Sequence, residues 1–172
     1  MTKREAYAAA VERIERLIAG ETDEIAILAT VVCELHHGLP HFDWTGFYRV
    51  TEPGMLRVGP YQGGHGCLAI PFARGVCGAA ARERRTQIVP DVTQAPHHIA
   101  CSSTTRSEIV VPVLDRDGAL RAVLDVDSDE LAAFDEEDQR WLERVCALVG
   151  RAVRWPPLLG APHREPAGPS EE

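Results

Sequence analysis

The sequence predicts an α+β domain in which helices from the two ends of the chain pack on one face of a mostly antiparallel sheet. Three observations carry this prediction. Apolar residues recur at helical spacing over residues 3–19, 23–35 and from 135 onward. Between these stretches the apolar period drops to two. Short turn signals such as "TEPG" and "DRDG" separate the alternating runs, which suits antiparallel neighbours.

Each element can be justified in order. Tyr7, Val11, Ile14, Leu17 and Ile18 form the stripe of a first helix over 3–19, and Gly20 stops it. A second helix runs over 23–35, with Thr22 as its cap and Ile25, Leu28, Val32 and Leu35 as its stripe. Strands follow over 42–50, 55–61 and 67–72, then a short helix over 75–84 and a brief strand in "TQIVP". Residues 91–106 read as a long polar loop, roofing the sheet face that the helices leave free. Strands over 107–114 and 121–128 are joined by a tight turn at 115–118. The last helix starts near Asp135, with Leu142, Val145, Cys146, Val149 and Val153 as its stripe. Residues 1–154 are therefore expected to form one domain, and the Pro-rich stretch 155–172 a disordered tail.

Composition narrows the function classes. The chain has 172 residues, 45% hydrophobic and 26% charged, within the soluble globular range. Its net charge of −8 and lack of a Lys/Arg run argue against nucleic acid and against an anionic membrane surface. No apolar stretch is long enough to span a bilayer, and the amino terminus does not read as a signal peptide. A cytoplasmic location is expected. Five cysteines (Cys33, Cys67, Cys77, Cys101 and Cys146) form no C-x-x-C pair and are too odd in number for a disulfide framework. Cys33 and Cys146 fall in helical apolar stripes, the other three among Gly, His and Ser.

Those three thiols are the first chemical candidates. Cys101, in "HHIACSS", reads either as a thiolate favoured by His98 or as an incidental loop residue. Cys67 opens a strand after "YQGGHG". Cys77, between Gly75 and Gly78, reads as a thiolate at a helix N-terminus or as a small packing residue. Asp125 and Asp127 share one strand face, with Leu124 and Val126 on the other. Adjacent carboxylates repel, so at least one should hold its proton unusually well. Glu108, in step with Val110 on the neighbouring strand, points to the same side. Trp44 and Tyr48 share a face, while Phe47 takes the core face; all three could equally be core. The histidine and cysteine spacings match no common zinc pattern, and no P-loop, dinucleotide or G-x-S-x-G motif occurs, so neither metal nor cofactor is expected.

"DWTGFY", "GPYQG", "GCLAI", "RGVCG", "HIAC", "SEIVVPV" and "LDVDS" occur in that order. This set closely resembles the free methionine-(R)-sulfoxide reductases, a family built on a GAF domain, from about residue 5 to about residue 150. The resemblance implies a six-stranded antiparallel sheet with the terminal helices on one face and the site on the other. It implies reduction of free methionine (R)-sulfoxide, with Cys101 as nucleophile, Cys67 as main resolving thiol and Cys77 as auxiliary. It places Trp44, Tyr48, Glu108, Asp125 and Asp127 in the substrate pocket, a thioredoxin-type dithiol as reductant, and a homodimer as the assembly. The chain departs from the family pattern beside the nucleophile, with His97 where Gly is frequent and Ser102 where Asp is frequent. The rival reading is a GAF module that senses a small ligand or redox state without turnover. It leaves the third thiol and the carboxyl cluster without a task.

Overall fold

Alternation between Trp44 and Ser128 and helical periodicity on either side of it produce the expected layers. A computed structural model describes residues 1–94 and 104–158. Helices α1 (Lys3–Leu17) and α2 (Glu24–Gly38) lead into strands β1 (Trp44–Glu52), β2 (Met55–Gln62) and β3 (Ala69–Pro71). Helix α3 (Gly75–Glu83), strand β4 (Gln87–Val89) and a 3-10 turn at Val92–Gln94 come next. Strands β5 (Ser107–Leu114) and β6 (Leu120–Ser128) and helix α4 (Glu136–Ala152) complete the described chain. The strands form one sheet in the order β3-β2-β1-β6-β5-β4, with every neighbouring pair antiparallel.

The two sheet faces have separate cores. Phe47, Ile109, Val111, Val113, Leu124 and Val126 point toward α1, α2 and α4, where they meet Tyr7, Ile14, Leu28, Leu35, Leu142 and Val145. The opposite face carries Trp44, Tyr48, Val110 and Val123, and helix α3 covers part of it with Val76, Cys77, Ala80 and Ala81. The terminal helices leave this face free, as expected, and α3 walls one side of it.

Several local expectations also change. Asp23 caps α2, its side chain accepting from the Ala26 N–H, so Thr22 lies one residue outside the cap. Its acidic neighbour caps instead because a carboxylate favours both the free N–H groups and the helix dipole. Ile25 and Leu17 are 49% and 59% exposed and do not belong to their stripes; Ile27 and Val31 complete the buried face of α2. Cys33 is exposed rather than packed. At the end of the described chain Trp155 packs on the helix-side core and donates its indole N–H to the Gly150 carbonyl.

One buried carboxylate ties α1, α4 and the α2–β1 connection together. Asp138, fully buried, accepts from the Tyr7 hydroxyl at 2.7 Å and from Lys3 Nζ at 2.6 Å, and lies 3.0 Å from His41 Nε2. It also closes a capping box with Asp135. These partners outweigh burial and hold its carboxyl well below the usual range. A depressed folded pKa stabilises the fold above the unfolded value, and this contribution is lost as pH falls below about 4. Asp138→Asn is therefore expected to lower stability by about 3 kcal/mol at neutral pH. Melting curves between pH 3 and pH 7 should show a smaller gap between variant and wild type at the acid end. A constant gap would remove the ionic part of the argument.

Candidate active site

The site is built on β1, β5 and β6 by register. Trp44 lies opposite Asp127, Gly46 opposite Asp125 and Tyr48 opposite Val123 on the β1–β6 ladder. On the β5–β6 ladder Glu108 lies opposite Asp127 and Val110 opposite Asp125. Period-two alternation then aims Trp44, Tyr48, Glu108, Asp125 and Asp127 at one face. All five expected pocket residues share this face, and Phe47 points away from it.

The indole of Trp44 stacks with two tyrosines. Its centroid is 5.8 Å from Tyr48 and 5.4 Å from Tyr61, with interplanar angles of 24° and 19°. A glycine at 46 makes this possible, because a Cβ there would sit 2.6 Å from the Tyr61 Cβ, 2.8 Å from the indole Cζ3 and closer still to its Cη2. Tyr61 is absent from the sequence-based set. It stands in "GPYQG", and only the β1–β2 register sets it across from Gly46.

The carboxyl groups sit beside these rings in a dry environment. Glu108 and Asp125 are 5% and 6% exposed, and Asp127 is half-buried. Burial, then the charges of Asp125 and Asp127, push the Glu108 carboxyl well above the usual range. Burial lifts Asp125 to about 7, against the lowering effect of hydrogen bonds to Cys77 and Glu108. Asp127 is raised by burial and by the charges of Asp125, Asp129 and Asp43. The pair expected to repel does so, with Glu108 as a third member.

The thiols divide differently from the sequence-based reading. Cys77 is buried at the third position of α3 and free. Its sulfur hydrogen-bonds Asp125, and burial plus the charges of Asp125 and Glu108 push the thiol upward. Desolvation beats the helix terminus, so Cys77 is held as a protonated thiol packed in the core, the second of the two readings of this residue. Ligand atoms of Cys77, Glu108 and Asp125 all lie within 4.8 Å of one another, a geometry able to share protons or to hold a cation. Cys67 lies just before β3 rather than in it, half-buried against the same core, and its sulfur is in a disulfide. Cys101 falls outside the described residues, as do His97, His98 and Ser102.

The GAF domain model matches residues 21–154. The free methionine-R-sulfoxide reductase of Escherichia coli is 38% identical over 89% of this chain and 92% of its own length. This chain belongs to the free methionine-R-sulfoxide reductase family of GAF domains. GAF domain-containing protein A of Dictyostelium discoideum is 45% identical over 86% of the chain and 92% of its own. The X-ray structure of the Neisseria meningitidis free methionine-R-sulfoxide reductase with its substrate has a TM-score of 0.81 to this fold. It is 42% identical and covers 87% of this chain and 90% of its own. In this GAF domain the six-stranded antiparallel sheet stands as expected. No helix among the described residues is long and apolar enough to cross a membrane.

Proposed function

We propose that this protein reduces free L-methionine (R)-S-oxide to L-methionine. The observation that carries the reading is a set of buried, proton-retaining carboxyl groups beside an aromatic wall, on the sheet face that also holds Cys67 and Cys77. Membership of the reductase family supports it.

The chemistry follows from the groups present. The Cys101 thiolate attacks the sulfoxide sulfur. A carboxylic acid of the Glu108/Asp125/Asp127 group protonates the sulfoxide oxygen as the sulfur–oxygen bond weakens. Methionine leaves, and the hydroxyl remains on Cys101 as a sulfenic acid. Cys67 then attacks the Cys101 sulfur, the sulfur–sulfur bond forms, and the hydroxyl departs as water. A thioredoxin-type dithiol returns both thiols to the reduced state. That Cys67 is disulfide-bonded while Cys33, Cys77 and Cys146 are free supports this pairing. Cys77 serves as the auxiliary thiol, protonated beside Asp125.

The carboxyl groups not holding a proton bind the substrate ammonium, which selects a free amino acid over a residue within a polypeptide. Trp44 and Tyr48 hold the S-methyl end. The reading is tested by methionine formation from the R and S epimers separately, with dithiothreitol as reductant. Turnover of the R epimer alone is expected. No turnover of either, with folded protein and reduced thiols, would leave a ligand-sensing GAF module in its place.

A further inference from the structure

The segment that carries Cys67 is built around the two pocket aromatics, and the contacts are specific. The Trp44 indole N–H donates to the Gly64 carbonyl at 3.0 Å. A Cβ on Gly66 would lie 2.8 Å from Trp44 Cζ2 and 3.0 Å from the Tyr48 hydroxyl, so the backbone at 66 rests directly on both side chains. One residue later the Cys67 N–H faces the Tyr48 hydroxyl oxygen. Tyr61 also stacks with the indole. Residues 64 and 66 thus rest on Trp44 and Tyr48, and Cys67 follows directly, although 63–68 lies outside any strand or helix.

We infer that Trp44 and Tyr48 are positioning residues for the resolving thiol as well as walls of the substrate pocket. The inference rests on the proposed reductase reading and assigns these residues to its second step. In that step the Cys67 sulfur must reach the sulfenic sulfur of Cys101 in line with the departing oxygen; the S–O bond breaks, the S–S bond forms and water leaves. An irregular segment holds a reactive atom in place through such anchors; once the Cys67 disulfide is reduced, the other backbone tie in this stretch is the Leu68 carbonyl, which accepts from the Val58 N–H. The two anchors sit on β1, a central strand, so the thiol inherits the rigidity of the sheet. The same rings touch the substrate, so the pocket and the thiol segment share one support.

The readout is the fate of the sulfenic acid per methionine formed, which corrects for any change in substrate binding or in the first step. Reduced protein is mixed with a saturating excess of the R-sulfoxide and dimedone, without reductant. Methionine, dimedone adduct on Cys101 and disulfide are then quantified by mass spectrometry. Wild type is expected to give disulfide with little adduct. Tyr48→Phe keeps the ring and loses the hydroxyl that faces the Cys67 N–H and touches the backbone at 66; Trp44→Phe loses the Gly64 anchor; Gly66→Ala leaves both rings intact and displaces the segment. Each is expected to raise the adduct-to-methionine ratio roughly fivefold, the effect of one lost hydrogen bond or its equivalent. Added peroxide takes unresolved sulfenic acid on to sulfinic acid, so the sulfinic yield gives a second measure. An unchanged ratio in all three variants, with only the Michaelis constant raised, would overturn the inference and leave the aromatics as pocket walls. Absence of methionine in the wild type would instead overturn the reductase reading itself.

Discussion

Cys101→Ser is expected to abolish methionine formation, while Cys33→Ser and Cys146→Ser keep the wild-type rate. The first step needs a soft, ionisable nucleophile, and a serine hydroxyl is neither at neutral pH. The two control thiols lie elsewhere in the fold. Cys33 is exposed on α2, its sulfur 3.9 Å from His37. Cys146 is buried in the helix-side core, 4.0 Å from the Val111 carbonyl, where burial pushes its thiol upward and keeps it inert. Cys67→Ser separates the steps. One equivalent of methionine per chain should still form without reductant, and no intramolecular disulfide should follow. Liquid chromatography of methionine and thiol counting under denaturing conditions measure both. Turnover in Cys101→Ser would sink the assigned mechanism and move the nucleophile to another thiol.

The parts of this molecule that were legible in the sequence are those governed by period. Alternation in "SEIVVPVL" and "RAVLDVDS" places Glu108, Asp125 and Asp127 together, and the β5–β6 ladder does pair Glu108 with Asp127. The spacing of Trp44 and Tyr48 likewise gives them one face. What periodicity does not encode is the close approach of segments distant in sequence. The packing of Tyr61 on Trp44 depends on the β1–β2 register, and the wrapping of 64–67 around the indole depends on a glycine whose neighbour is twenty residues away. The charge state of Cys77 depends on Asp125 and Glu108, brought to it by the sheet. Asp138 reads from sequence as one more acid at a helix start. Only the fold shows Tyr7, Lys3 and His41 converging on it.

Asp125→Asn is expected to lower the rate of methionine formation on the order of a hundredfold and, at the same time, to make the protein more stable at alkaline pH. The two effects have one cause. Burial lifts the Asp125 carboxyl from 3.8 to about 7, so the folded state retains a proton that the unfolded chain releases. A raised acid pKa costs stability as pH climbs from about 4, and the loss is complete once pH passes the folded value near 7. Asparagine carries no charge to desolvate, and its amide can still accept from Cys77 and donate to Glu108. The gain over wild type should therefore be small at pH 5 and reach on the order of 2 kcal/mol at pH 8. Removing this charge also relieves Glu108 and Asp127, whose carboxyls are raised in part by it. Thermal melts at the two pH values measure the gain, and an equal loss of stability at both would show that Asp125 is a structural group. The Asp138 hub has the opposite sign, since its support vanishes only in acid. Acid removes the support of the helix-side hub while neutral pH exposes the cost of the site, so maximal stability belongs at mildly acidic pH. The carboxyl cluster is thus held in the fold against its own ionisation, the trade expected where a site needs a proton donor at neutral pH.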